Sequence, residues 1–159
     1  MAFLLTACGG ASGGPSAPTP LYPAVAGNYS LSGTFDDFPE SFSRVTGTFS
    51  IQQASTATGT LTGTSRLTWW VDGESALYDF PLSSASVTTT GTLTFTFVDD
   101  VGDSWTFTGQ VASGTVTGRH SLNIGEAGGD LTGDFTATRT GGATVTRAEP
   151  PRPPVAPPV

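Results

Sequence analysis

Strict alternation of apolar and polar residues is the feature of this 159-residue chain that most constrains its fold. In the first such run, Tyr29, Leu31 and Phe35 fall on one face of an extended chain, and Ser and Thr fall on the other. The pattern returns along the chain in runs separated by short, turn-forming stretches. Because a period of two is typical of half-buried β-strands, the sequence predicts an all-β domain of eight antiparallel strands in meander order.

One predicted strand is irregular. Residues 76–88 begin with Tyr78 and Phe80 on one face, and the alternation then shifts at Ser83 and Ser84. A one-residue shift inside a strand predicts a β-bulge at that point.

A short motif recurs along the predicted strands: an apolar residue, Ser or Thr, Gly, any residue, and a further residue that is apolar in most copies. Its glycines, which all fall on the apolar face, are Gly33, Gly47, Gly63, Gly109, Gly118 and Gly133. Gly weakens a strand, but inward Gly permits the sharp bends that close a sheet. We therefore predict a closed up-and-down barrel instead of a sandwich. The strands of a transmembrane barrel also alternate apolar and polar residues. In such a barrel these glycines would face the lipid and would leave its apolar surface without side chains at those positions.

The charge balance excludes one class of partner. The chain has no Lys and a formal net charge of −7. Proteins that bind nucleic acid neutralise phosphates with Lys and Arg, so we expect no nucleic-acid partner.

The start of the chain carries its only cysteine. Leu5-Thr6-Ala7-Cys8 resembles the lipobox of bacterial lipoproteins, in which an apolar residue and two small ones precede an invariant Cys. The resemblance implies that Cys8 is acylated and anchors the protein in the bacterial cell envelope, with the outer membrane as the expected location. The run before Cys8 is short and lacks a positive charge, which indicates a start site placed too late. The alternative is a cytosolic Cys that follows Leu-Thr-Ala by chance.

Composition then divides the chain. The lipobox resemblance implies that residues 1–8 are the remnant of a signal peptide ending at Cys8, and residues 9–26, rich in Gly, Ala, Ser and Pro, are predicted to be a flexible linker. Residues 27–147 carry the barrel pattern, and 148–159 form a Pro-rich tail that we expect to be disordered.

The first strand opens with Gly27-Asn28-Tyr29, and Arg139 lies at the end of the last. This resembles the lipocalin and calycin group, which opens with Gly-x-Trp and packs the Trp against a basic residue of its last strand. Avidin-like barrels and small barrel inhibitors of proteases are similar in architecture. The resemblance implies a cation–π contact between Tyr29 and Arg139, and a barrel that can hold a small ligand.

In a meander, alternate turns lie at the same end. The turns after strands one, three, five and seven hold ten of the thirteen acidic residues, whereas the other turns are uncharged. The ten are Asp36, Asp37, Glu40, Asp72, Glu74, Asp99, Asp100, Asp103, Glu126 and Asp130. We call this the acidic end and expect it to face away from the anchor. It could attract a cation or a basic partner, with Ca²⁺ as the candidate ion, although Asp and Glu also serve simply as turn residues.

Four residues are candidates for contacting a ligand. His120 and Ser65 are polar residues on inward faces, and Trp69 and Trp105 lie near the acidic end. Ligand pockets are mostly apolar with a few polar groups. The alternative for His120 is a hydrogen-bonded core residue, because a lone His makes a poor metal site.

Enzyme motifs are weak. Ser65, His120 and Asp134 could be written as a triad, but Asp134 points outward by alternation and no nucleophile elbow is present. We therefore expect no enzyme and no organic cofactor.

Two functions remain. The first is a monomeric envelope lipoprotein that binds a small, largely apolar ligand in or at the mouth of its barrel. The second is a ligand-free scaffold whose acidic, aromatic rim binds another protein, as adhesins and protease inhibitors do.

Overall fold

The computed structural model describes residues 21–125 and 129–141. They form one nine-stranded antiparallel sheet in the order β4-β3-β2-β1-β9-β8-β7-β6-β5. The strands are β1 (Gly27–Thr34), β2 (Ser43–Gln52), β3 (Thr62–Val71), β4 (Glu74–Pro81), β5 (Ser84–Val87), β6 (Thr92–Val98), β7 (Ser104–Ala112), β8 (Thr115–Asn123) and β9 (Asp130–Gly141). The predicted all-β meander is confirmed. In these residues no helix has the length and hydrophobicity needed to cross a bilayer.

The first and last strands meet, as the resemblance to lipocalins implied. β1 pairs with β9, and Tyr29 lies opposite Arg139. The guanidinium of Arg139 lies 5.5 Å from the centre of the Tyr29 ring, and its Nη2 donates to the Tyr29 hydroxyl at 2.9 Å. That hydroxyl donates in turn to the carbonyl of Val25 at 2.6 Å. The predicted contact between Tyr29 and Arg139 is confirmed.

The predicted count of eight strands is corrected to nine because the fourth is divided. β4 pairs with β3, and Leu82 N–H continues that ladder to Gly63 O at 3.0 Å. The register of β4 would place Thr60 opposite Ala85. Beyond the break, Thr60 instead lies opposite Ser86, one residue later in the chain. The extra residue is the bulge predicted at Ser83 and Ser84.

The barrel is closed over only part of its height. At the end opposite the acidic turns, β5 bonds both to residues 59–61 and to β6, which completes the ring. Ser83 N–H still reaches Thr96 O at 2.8 Å. Pro81, the next residue of β4 facing that side, has no N–H to donate, and β4 does not pair with β6. The predicted closure therefore holds at the end opposite the acidic turns, whereas toward the acidic end β4 and β6 are left unpaired with each other. We call the unpaired edge of β4 at residues 75–79, together with the end of β6 at Val98, the seam.

Aromatic rings fill the interior. Tyr29 stacks on Phe49 at 4.7 Å, Phe49 contacts Phe95 at 4.5 Å, and Phe95 stacks on Phe107 at 4.9 Å. Trp105 continues the series 5.7 Å from Phe107 and is fully buried. Each buried ring stabilises the fold by roughly 1.5–3 kcal/mol, so this column contributes strongly to stability.

The inward glycines allow close approach between backbone segments as well as bending. A Cβ on Gly133 would lie 1.7 Å from the carbonyl oxygen of Thr34, and one on Gly47 would lie 2.3 Å from that of Arg66. Gly47 also has a φ of +156°, which L side chains rarely adopt. These positions therefore admit Gly alone.

The linker predicted for residues 9–26 is too long. Val25 and Ala26 are buried, and Val25 N–H donates to Gln53 Oε1 at 3.0 Å. Residues 21–26 therefore pack against the barrel. Cys8 and the Pro-rich tail lie outside the described residues.

Candidate functional site

The four acidic turns lie at one end of the barrel, as predicted, because every neighbouring pair of strands is antiparallel. Asp37, Asp72, Glu74 and Asp100 are exposed there. Glu126 lies outside the described residues. The acidic end therefore carries several carboxylates in contact with solvent.

Asp36 is the acidic residue of the β1–β2 loop that forms an ion pair. It forms an ion pair with Arg119, whose Nη1 also donates to Asp134 at 3.0 Å. Thr132 Oγ1 donates to Asp36 Oδ2 at 2.7 Å. The hydrogen bonds from Arg119 and Thr132 hold the pKa of Asp36 below its ordinary value, and those to Asp36 and Asp134 raise the pKa of Arg119. The pair ties the β1–β2 loop to β8 and β9.

Asp99 and Asp130 have local partners. Asp99 Oδ1 accepts the N–H groups of Val101 and Asp103 at 3.1 and 2.8 Å, and Asp130 accepts the amide of Asn123 at 2.7 Å. Such bonds are the ordinary role of Asp in turns. Nowhere in residues 21–125 and 129–141 do three His, Cys, Asp or Glu side chains come together as a metal site.

A cluster of four aromatic residues lies inside the acidic end, and we call it the aromatic mouth: Phe35, Trp69, Tyr78 and Trp105. The buried Trp105 is its floor, with Trp69 and Tyr78 edge-on to it at 6.2 and 5.6 Å. Phe35 covers it, 5.7 Å from Trp69 and 6.2 Å from Trp105. Trp69 and Tyr78 stay partly exposed, so solvent reaches the mouth beside them.

His120 lies beneath this mouth, facing inward as predicted, with 2% of its surface exposed. Trp105 Nε1 donates to His120 Nδ1 at 3.1 Å, and Nε2 lies 2.8 Å from the carbonyl oxygen of Thr34. These contacts select the neutral imidazole with its proton on Nε2, because Nδ1 must accept. Burial lowers the pKa of His120, although the bond to Thr34 opposes this shift. Phe35 packs edge-on against the ring at 4.9 Å.

Ser65 also has an internal partner. It is 2% exposed, and its Oγ donates to the carbonyl of Phe80 at 3.1 Å. The polar atoms of both His120 and Ser65 are thus engaged within the protein. Of the four candidates from sequence, Trp69 and Trp105 lie in the mouth, and Trp69 is the one with exposed surface.

The neighbouring tryptophans face opposite ways. Trp69 points inward, where its Nε1 donates to Ser43 Oγ at 3.0 Å. Trp70 points outward beneath the guanidinium of Arg44, 5.0 Å from the ring centre. Since strand residues alternate between faces, only one of the two rings can face the interior, and the alternation of β3 predicted that it is Trp69.

Two residues of this end were not predicted as part of the site. Arg119 holds the loop that carries Phe35, and Tyr78 forms a wall of the mouth. Burial raises the pKa of Tyr78, and the carboxylates of Asp99 and Asp103 raise it further. The placement of Tyr78 on an inward face was readable from alternation, whereas the pairing of Arg119 with Asp36, 83 positions away, left no local signal.

The residues considered as a catalytic triad do not assemble into one. Asp134 is exposed and bonded to Arg119, on the face of the sheet opposite His120. Ser65 bonds to the Phe80 carbonyl, and His120 to Trp105 and Thr34.

Comparison with known proteins supports the fold. The solved structure of EF1p2_mFAP2b bound to DFHBI is similar to this chain, with a TM-score of 0.56 and 14% identity over 73% of this chain and 94% of that one. No family model and no curated protein sequence matches the chain. At this identity the likeness shows the fold alone, and this chain is a small antiparallel β-barrel.

Proposed function

We propose that this protein is a binding protein of the bacterial cell envelope that takes a small, largely apolar ligand at the aromatic mouth. The observation that carries the proposal is the pair of partly exposed rings, Trp69 and Tyr78, standing over the buried floor of Trp105. Such a mouth offers apolar surface at the edge of an otherwise filled interior.

The geometry limits what the ligand can be. The column of stacked rings below Trp105 leaves the mouth, not the deep interior, as the place for a ligand. The flat walls and floor favour a planar or chain-like apolar group, since aromatic faces bind by stacking and edge-on contact. The structure of a similar fold bound to DFHBI supports the idea that such barrels hold small molecules.

The ligand test is native mass spectrometry of the protein purified from its producing host and then incubated with that host's lipid extract. We expect a bound mass that is lost in Trp69→Ala and kept in Trp70→Ala, the adjacent ring on the outer face. The proposal would be overturned if the mass equals that of the protein without ligand both as purified and after incubation with the extract.

The cellular location rests on Cys8. We propose that acylation of its thiol anchors the barrel so that the acidic end faces away from the membrane, because both termini of the described barrel lie at the other end. Stable anchoring requires more than one acyl chain. In a gene with its full upstream region, Cys8→Ser should move the protein from the membrane to the soluble fraction, whereas Ser12→Ala should not.

A second candidate function is binding of another protein by the rim. Four of the exposed large apolar residues lie at the acidic end: Phe42, Leu77, Val98 and Val101. Exposed apolar surface rimmed by polar residues is typical of interaction sites.

A further inference from the structure

The seam presents backbone groups that the sheet leaves unpaired. Leu82 N–H bonds toward β3 and Ser83 N–H bonds toward β6. Because ladder bonds alternate along a strand, Ser75, Leu77 and Asp79 turn their N–H and C=O groups toward the seam. No backbone partner meets them within the part of the chain that the structure describes. This is the edge that an incoming strand needs.

Apolar side chains flank this edge on both sides. Leu77 is 56% exposed on β4, and Val98 is 43% exposed across the seam on β6. Val101 in the next turn is 77% exposed. Natural edge strands are usually protected by Lys, Pro or a covering element. Pro81 protects the end of β4 that lies away from the acidic turns. The middle of this edge carries Leu77, and the chain has no Lys to protect it.

Acidic residues lie in the turns at the acidic end of the seam. Asp72 and Glu74 precede the edge along the chain, and Asp99, Asp100 and Asp103 follow Val98. The carboxylates of Asp99 and Asp103 are close enough to Tyr78 to affect its hydroxyl. No Lys or Arg occurs among residues 71–103, so this stretch itself supplies no cation to balance these charges.

We propose that the seam is a docking site for an extended segment of a partner protein, which adds to β4 as a further strand. The segment carries apolar residues that cover Leu77 and Val98, and Lys or Arg where it meets the acidic turns. Strand addition supplies backbone hydrogen bonds for affinity and alternate side chains for specificity. A second copy of this chain fits less well, because each copy has a net charge of −7 and complementary charge is what favours association.

The test selects peptides from a random library, about 10 residues long so that they span a strand, on the full chain. Enriched sequences should alternate apolar residues and carry Lys or Arg. Leu77→Lys should weaken their binding about tenfold or more, and Leu21→Lys, an exposed Leu at the opposite end, should leave it unchanged. Bound peptide should also slow amide hydrogen exchange at Ser75, Leu77 and Asp79.

Several outcomes would overturn the proposal. They are selection that enriches no sequence, enriched peptides that are acidic, and peptides that bind Leu77→Lys as tightly as the unchanged protein. Dimerisation that Leu77→Lys abolishes would assign the edge to a second copy instead. Trp69→Ala separates this site from the ligand proposal, because it should remove the small ligand without affecting peptide binding.

Discussion

His120 shows how one polar residue organises an apolar interior. Its two ring nitrogens join β7 to β1, since Nδ1 accepts from Trp105 and Nε2 lies against the Thr34 carbonyl. Burying the ring without these partners would cost roughly 1–3 kcal/mol for each unsatisfied group. The arrangement works only for neutral imidazole, because a proton on Nδ1 would face the indole N–H.

A pH dependence of stability follows. Burial lowers the pKa of His120 from its ordinary 6.5, so below pH 6.5 the unfolded state binds the proton more readily than the folded state does. The free energy of unfolding should therefore be level above about pH 6.5 and fall as the pH drops below it. Thermal melting across this range would show the slope, and His120→Gln, which does not titrate, should flatten it. An equal slope in both proteins would contradict the assignment.

Gly133 provides a second prediction at this scale. Gly133→Ala should lower the free energy of unfolding by about 2 kcal/mol or more, because the new methyl group would collide with the backbone of Thr34. Gly141→Ala is the control, since its Cβ would meet its nearest neighbour at 3.5 Å. Urea denaturation measures both. Equal small losses would mean that the strands can separate to accept a side chain.

At the scale of elements, the pairing of β1 with β9 brings together residues that are far apart in sequence. Alternation predicted the face of each strand, and the shift at Ser83 and Ser84 predicted the bulge. The open seam was not predicted. It depends on Pro81 facing β6, and a strand pattern specifies which side chains face inward but not which neighbour each backbone group meets.

Tyr29→Phe tests the junction of the first and last strands. The change keeps the ring stacked on Phe49 but removes the hydroxyl that donates to Val25 and accepts from Arg139. We expect a loss of about 1–2 kcal/mol in the free energy of unfolding, measured by urea denaturation. Tyr22→Phe is the control, because the Tyr22 hydroxyl has no hydrogen-bond partner among residues 21–125 and 129–141. If both variants lose the same stability, the hydroxyl network does not hold the strands together.

At the scale of the whole molecule, the meander order gathers the acidic residues at one end of the barrel, although they are spread along the chain. Ten of the thirteen acidic residues belong to the turns of one end, and the aromatic mouth and the seam open at that same end. The molecule thus has a packed base and an end that carries exposed carboxylates and partly exposed aromatic rings.

The calcium hypothesis can be tested at this scale. Binding to the folded state raises the melting temperature by mass action. We expect the same melting temperature in millimolar calcium and in chelator, because Asp36 is paired with Arg119 and Asp99 caps its own turn. A calcium-dependent rise of several degrees, absent with magnesium, would show that the rim carboxylates do form a cation site.

The sequence by itself determined the fold class, the inward faces, the bulge and the acidic end, because each depends on a period of two and on the order of turns. The tertiary structure alone decided which atoms meet. Phe35 packs over Trp105, Arg119 pairs with Asp36, and Trp105 donates a hydrogen bond to His120. These contacts join residues on different strands, and alternation fixes a side chain's face without fixing its neighbour across the barrel.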